Sequence, residues 1–428
     1  MLDIKLIRHD SNIIKKDLEK RFQLDKIKWV DELLNLDKNF RSLKLEIDNL
    51  RHRRNQLSLE INASKKEKKD IKLLLKEAQD IPIKIKNIEE KLNNIEKRIG
   101  FLLMRIPNYL HNDVPIGKDE TDNKIIKKFG EIPKSKFKLK GHEELGISLG
   151  MLDIERAAKV SGARFYFLKG DLALLEISLM RYAIDFMVKK GYELILPPYM
   201  MRKTPYEGVV DLSDFEEVLY KIENEDLYMI ATSEHPLTAR FMNETLNFKD
   251  LPMKNIGFST NFRKEAGAHG KDTKGIFRVH QFNKVEQIII CNPKDSWKFH
   301  EELIKNIESF FKLLKIPFRI VSICSGDLGT VASKKYDLEA FMPVQQEYRE
   351  MGSCSNCTDY QARRLNIKFE SSGTRDIVHT LNSTLVTDRA LVAIMENYQQ
   401  TDGSIKIPTV LQKYMGGKKK IIKNIEKI

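Results

Sequence analysis

The sequence predicts an α+β protein in two parts: a long antiparallel α-helical coiled-coil arm, then a body built on an antiparallel β-sheet flanked by helices. Three observations point there. Apolar residues recur in alternating steps of three and four through most of residues 33–106, the spacing of a coiled-coil seam. Further on, short β-like runs are mixed with unevenly spaced amphipathic stretches, as expected where strands and helices segregate around an antiparallel sheet. Neither GxGxxG nor GxxxxGK(S/T) occurs, so the parallel-sheet nucleotide folds have no support.

The first apolar series runs Leu33, Leu36, Phe40, Leu43, Ile47, Leu50, Leu57 and Ile61, with Arg54 as its interruption. The second runs Ile71, Leu74, Ala78, Ile81, Ile85, Ile88, Leu92, Ile95, Ile99, Leu102 and Ile106, and Pro82 is expected to kink that helix or to begin its regular part. Residues 62–69 are short and polar, and helices joined by such a turn lie antiparallel. About 35 residues per helix make an arm roughly 50 Å long. Residues 107–117 form a turn-rich linker. Residues 176–190 then read as an amphipathic helix stopped by Gly191, and 192–196 as a short strand closed by Pro197 and Pro198. Residues 277–279 and 285–291 read as two strands with a turn between them, hence an antiparallel pair. Residues 297–314 read as a helix, 317–322 as a strand, and 390–399 as a helix with an apolar face.

A chain of 428 residues suggests two domains, and 41% apolar with 32% charged residues excludes general disorder. No stretch approaches 18 uncharged apolar residues, so no membrane span is expected, and Asp3, Lys5, Arg8 and Asp10 leave no signal-peptide apolar region. Four cysteines in this length are no disulfide framework. The expectation is a cytoplasmic protein. Its net charge of +13 is concentrated: residues 51–72 hold Arg51, Arg53, Arg54, Lys65, Lys66, Lys68, Lys69 and Lys72 against Glu60, Glu67 and Asp70. The tail from Lys413 holds six lysines and one acid, Glu426. Localised positive charge is the footprint of a polyanion binder; a solvated helix face is the bland alternative. For the heptads an oligomerising coiled coil stays equally open.

The chemistry-bearing residues cluster in the body. Phe262, Arg263, Lys264 and Glu265 precede a polar, glycine-rich loop, and Phe277, Arg278, Val279 and His280 follow it. Arg263 and Arg278 on facing strands would clamp a phosphate. Glu265, two residues along, would share the face of Arg263 and accept from an amine; Phe277 offers a stacking plane. Arg389 opens a helix, where helix-end potential and guanidinium both favour a phosphate.

In this order the residues resemble a known family, the seryl-tRNA synthetases, which are class II aminoacyl-tRNA synthetases, in the archaeal and eukaryotic style. The resemblance covers essentially the whole chain. The helix before Gly191 through Pro198 resembles motif 1, which in the family builds the dimer interface. Residues 262–282 resemble motif 2, and 382–396 resemble motif 3. The specificity for serine rests on Thr232, Ser233 and Glu234 and on the run from Tyr348 to Cys357. The resemblance implies residues 1–108 as a tRNA-binding domain with its arm at about 28–105, and 109–428 as a class II catalytic domain with a basic tail from about 413. It further implies that Thr232, Ser233, Glu234 and Glu286 line a serine pocket, with Asn382 and Thr384 closing over the side chain. Arg263 would hold the α-phosphate of ATP, Glu265 meet the adenine amine, Phe277 stack on the ring, and Arg389 hold the γ-phosphate. Lys264, Arg278, Met351 and Gly352 would complete the ATP site, and Glu350 with Ser353 would bind Mg²⁺. Arg51, Arg53, Arg54, Lys65, Lys66, Lys68 and Lys69 would meet tRNA(Ser). The implied partners are L-serine, ATP, tRNA(Ser), by family habit the selenocysteine tRNA, and a second copy of the chain. No protein nucleophile is needed: the serine carboxylate attacks the α-phosphorus, and positioning and charge neutralisation supply the rate.

One spacing departs from the family pattern. Asn382 and Arg389 are seven positions apart rather than the usual eight, as if a residue were missing around Thr384 to Thr387, and Asp388 stands where it would compete with phosphate for Arg389. This keeps two rivals in view: a paralogue without aminoacylation that binds RNA, and a ligase that activates an amino acid for a carrier protein. Cys354 and Cys357 have the spacing of half a zinc site, but no second pair accompanies them and no structural zinc is expected. His269 and His280 flank the glycine-rich loop and read as hydrogen-bonding residues, and His379 as packing.

Overall fold

The computed structural model describes residues 1–212, 216–265 and 275–423. The chain forms two compact units, Met1–Tyr109 and Leu110–Ile428.

In the first unit two short helices, Ile4–His9 and Ser11–Lys20, precede helix α1 (Ile27–Lys66) and helix α2 (Lys72–Arg105). At about 1.5 Å per residue, α1 is roughly 60 Å long. The apolar stripe faces inward as its period requires: Leu33, Ile47 and Leu57 of α1 and Ile81, Ile85, Ile88 and Leu102 of α2 are buried. Three local expectations need correction. Residues 62–66 are the last turn of α1, so the connection is shorter than read, with Lys68 in the left-handed conformation (φ 54°) turning the chain. Pro82 does not begin the regular helix, because α2 starts ten residues earlier and keeps the proline on its exposed side. At the interruption of the seam, Arg53 rather than Arg54 turns toward the partner helix. Its guanidinium grips Glu77 through two bonds of 2.8 and 2.9 Å and Glu60 through a third of 2.8 Å. Arg54 is exposed.

The second unit is organised by an eight-stranded sheet. In chain order its strands are β1 (Lys124–Phe129), β2 (Glu193–Ile195), β3 (Met253–Phe262), β4 (Gln281–Cys291), β5 (Phe318–Ser322), β6 (Lys334–Met342), β7 (Glu347–Asn356) and β8 (His379–Thr387). Their order across the sheet is β1-β5-β6-β7-β8-β4-β3-β2. Every pairing is antiparallel except that of the edge strand β2 with β3. Helices α3 (Gly170–Val188), α4 (Ser296–Leu314) and α5 (Asp388–Tyr398) pack around one core, in which Tyr182 of α3 stacks on Phe310 of α4 at 5.3 Å. Odd-numbered residues of β4, among them Val285 and Ile289, join that core; the even-numbered ones face away.

The strand expected at 277–279 is absent. Residues 275–280 form turns, and the antiparallel partner of β4 is β3, which ends at Phe262. Arg263 and Arg278 therefore lie outside the ladder, beyond the strand ends. Glu265 does not continue the strand either, since its backbone is left-handed (φ 50°).

Candidate active site

The face of β4, β7 and β8 turned away from the helical core carries polar side chains. Register explains which ones. Thr384 pairs with Glu286 and Thr387 with Lys284, so all four share that face. Thr384 and Thr387 are three apart and would point to opposite sides of a regular strand, but the register shifts between Thr384 and Val386, and the unpaired Leu385 restores the facing. The neighbouring strand repeats the device. Glu339 pairs with Glu350 and Leu338 with Gly352, leaving Met351 as a bulge that brings Glu350 and Ser353 to one side. A Cβ at Gly352 would lie 2.8 Å from Thr384 O, so only glycine admits the close approach of the two strands here.

Of these, Lys284, Glu350, Met351, Gly352, Ser353, Thr384 and Thr387 line a cleft of about 140 Å³ with Arg263, Glu265, Phe277, Arg278, Asp388 and Arg389. One end is rich in arginine. Arg389 Nη1 donates to Glu350 Oε2 at 3.2 Å and to its carbonyl at 3.1 Å. Phe277 carries Arg389 on its ring at 5.0 Å and Arg349 at 4.8 Å. Burial works against a charged Glu350, yet Lys335 and Arg389 outweigh it and hold the carboxyl down at about 2. Arg263 donates to Ala231 O through Nε and Nη2 at 3.3 and 3.2 Å. His280 accepts the Arg263 N–H at its carbonyl and lies 2.8 Å from Arg263 O through Nδ1, which fixes the backbone there.

A buried acidic cluster adjoins the cleft at Lys284 and Thr384. Glu234 Oε1 receives Gln361 Nε2 at 2.9 Å and Asn382 Nδ2 at 3.0 Å. Burial, reinforced by the charge of Glu286, pushes Glu234 up to about 7. Glu286 is raised by burial as well, though its neighbour Lys284 opposes the shift. Lys284 Nζ lies 2.6 Å from Glu286 Oε2 and donates to Thr232 Oγ1 at 3.1 Å.

Thus Thr232, Glu234, Glu286, Asn382 and Thr384 come together, as do Arg263, Glu265, Phe277, Arg278, Glu350, Met351, Gly352, Ser353 and Arg389. Ser233 does not join them: its hydroxyl donates to Gly257 O at 3.3 Å, against the back of β3. Lys264 lies outside the cleft lining, exposed beside Tyr220. Arg278 pairs with Glu265 at 3.1 Å, so it braces the loop ends rather than clamping with Arg263. Asp388 does not compete for Arg389. Its Oδ2 is taken by Tyr166 Oη and Asn283 N, which donate to it at 3.0 Å each. His379 lies 2.9 Å from Ser296 Oγ, and His269 is outside the described residues. Cys354 and Cys357 are buried thiols, and the described residues hold no group of three or more His, Cys, Asp or Glu placed to bind a metal.

Sequence reasoning missed Lys284, Gln361 and His142. His142 bridges the loop end to α5: Glu396 Oε1 lies 2.9 Å from its Nδ1, and Nε2 accepts from Ile276 N at 3.1 Å. Lys284 had a signal, since it alternates with Glu286 in a run that is otherwise apolar from Val285 to Ile290 save Gln287.

An antiparallel sheet with buried acids on one face, met there by arginines and an aromatic from the segments beyond its strands, is the catalytic framework of class II aminoacyl-tRNA synthetases. Residues 217–398 match the family model of the tRNA synthetase class II core domain (G, H, P, S and T), and residues 1–110 match that of the seryl-tRNA synthetase N-terminal domain. The chain belongs to the seryl-tRNA synthetase family. It is 51% identical to the serine–tRNA ligase of Methanocella arvoryzae over 424 residues, which cover 97% of this chain and 99% of that one. The crystal structure of seryl-tRNA synthetase from Pyrococcus horikoshii complexed with ATP superposes with a TM-score of 0.95 at 47% identity, covering 99% of this chain and all (100%) of that one. The cytoplasmic serine–tRNA ligase of Naegleria fowleri in complex with AMP gives 0.89 at 40% identity, covering 99% of each chain.

Proposed function

We propose that the chain joins L-serine to ATP as seryl-adenylate and passes serine to the 3′ end of tRNA(Ser). The observation that carries this is the junction at Lys284 and Thr384: both line the arginine-rich cleft, Lys284 contacts Thr232 and Glu286, and Thr384 pairs with Glu286. Glu234 and Glu286, with Thr232, receive the ammonium and hydroxyl of serine, and Asn382 and Thr384 close over its side chain. A pocket of buried acceptors rejects alanine, which would leave them unpaired. Arg263 holds the α-phosphate as the serine carboxylate attacks it and pyrophosphate departs, and Arg389 holds the γ-phosphate. Glu265 meets the adenine amine and Phe277 stacks on its ring. Glu350 and Ser353 offer hard oxygen donors on one face of β7 that would hold Mg²⁺, which would supply neutralisation of phosphate charge.

The protein acts as a homodimer through the α3 region, in the cytoplasm; no described helix is long and apolar enough to cross a membrane. The arm meets tRNA through Arg54, Lys65, Lys66, Lys68 and Lys69, which are exposed. Arg51 and Arg53 contribute less, because Glu89 and Glu77 already engage them. The paralogue without aminoacylation leaned on the short spacing before Arg389, but β8 runs unbroken to Thr387 and accommodates the region with a bulge. Serine-dependent ATP–pyrophosphate exchange without tRNA, run beside threonine, alanine and cysteine, tests the reading. Exchange with serine alone supports it, and ATP binding without exchange refutes it.

A further inference from the structure

The position of Lys284 bears on how the pocket selects its substrate. Its ammonium touches Thr232 Oγ1 at 3.1 Å and Glu286 Oε2 at 2.6 Å, two of the three groups assigned above to the ammonium and hydroxyl of serine. The lysine is buried and reaches this spot from β4 within the same cleft as Arg263. Glu286 is only 1% exposed, and its Oε2 is held by the ammonium as a buried ion pair.

We propose that Lys284 is a specificity residue of the serine pocket: its ammonium stands where the substrate ammonium binds, and it yields the place only to an amine that brings a carboxylate with it. The inference rests on the serine reading of the site. Its physical basis is charge counting in a water-poor pocket. Glu234 and Glu286 face Lys284 and Arg263, so that even when both acids are ionised they no more than balance the two bases. An incoming amine alone would add a third cation within a few ångströms of the others, which is strongly unfavourable where water cannot screen it. A zwitterion adds no net charge, and its carboxylate gives the displaced lysine a new partner. Lysine suits this exchange because a compact ammonium on a flexible stem can move, where a forked guanidinium would be held. The pocket thus rejects amines by an occupant that must be displaced, a repulsive element added to the attractive ones.

Ethanolamine is the discriminating probe, because it is serine without the carboxylate. In the full-length enzyme, serine-dependent pyrophosphate exchange is measured against ethanolamine for the wild type, Lys284→Met and Lys284→Gln. The expected result is weak inhibition of the wild type. The variants are inhibited competitively with serine at concentrations at least about tenfold lower, while KM for ATP stays within about twofold. Equal sensitivity of wild type and variants overturns the proposal, and so does a rise in KM for ATP that matches the rise for serine, which a purely structural lysine would give. Should neither variant fold, a crystal structure of the wild type with serine decides. Lys284 still on Thr232 and Glu286 overturns the proposal, and Lys284 moved to the serine carboxylate supports it. Failure of the serine reading itself looks different, since the wild type would then show no serine-dependent exchange.

Discussion

Along the arm, charge sits outside an apolar seam. Arg51 and Arg53 reach across to Glu89 and Glu77 from half-exposed positions, and the lysines at the tip stand in solvent. On the site face of the sheet the arrangement is reversed. Glu234, Glu286 and Lys284 are held inside, each near a partner of opposite charge or an amide. Exposed charges act at long range, add little to stability and weaken as salt rises. Buried ones act over a few ångströms, are insensitive to salt and shift one another's ionisation. The arm is thus suited to attract a polyanion without reading it closely, and the sheet face to tell one small zwitterion from another.

The sharpest way to break this division is to remove a buried charge. Arg263→Ala takes away the guanidinium proposed above to hold the α-phosphate, and a lost preorganised charge at a reacting centre costs on the order of 10³ in rate. Exchange and tRNA charging should fall together by about that factor, with the salt dependence of tRNA binding unchanged. If charging falls while exchange survives, Arg263 does not act on the α-phosphate.

The converse experiment strips the arm. Replacing Lys65, Lys66, Lys68 and Lys69 by serine should lower kcat/KM for tRNA about 10- to 100-fold at low salt and reduce the slope of log affinity against log salt. Serine-dependent exchange should not move. A variant that charges normally would show that the tip lysines are only a solvated end, and equal losses in both reactions would show that the two regions are not separable.

The two regions also differ in how much of them could be read in the sequence. The arm was legible because a single period dominates it, and the period itself states which face is buried. It misled at one place: the step from Leu50 to Leu57 can be bridged as three then four or four then three, and the chain takes Arg53. In the body, Arg263, Phe277, Glu350 and Arg389 were found because their order along the chain matches a known set of motifs. Their geometry was hidden, because the bulges at Met351 and Leu385 have no side-chain signature and depend on strand pairing. Lys284 was passed over because a lysine in a strand usually marks a solvent face. Asp388 was assigned to the wrong partner because its true ones, Tyr166 and Asn283, lie 222 and 105 residues away.

The smallest effect is the one that belongs to the buried end alone. Glu234 is raised to about 7, first by burial and then by Glu286. Its ionised form is the one that attracts the serine ammonium and accepts strongly from the hydroxyl. The profile of kcat/KM reports the enzyme before substrate binds. It should therefore fall about fivefold between pH 7 and pH 6 for serine, while KM for ATP changes little over that range. Glu234→Gln should give a lower and flat profile. The same shift has the opposite sign for stability. A carboxyl whose pKa is higher folded than unfolded stabilises the fold while protonated, so the contribution is complete below about 4.3 and is lost as pH rises through about 7. Asp337, buried and also raised to about 7, adds in the same direction, so the melting temperature alone cannot be assigned to Glu234. The assignment comes from the serine profile: persistence of the pH dependence in Glu234→Gln would place the ionisation elsewhere, on Glu286 or on the substrate. The tRNA affinity of the arm, whose charges lie in solvent apart from this pocket, should stay level throughout.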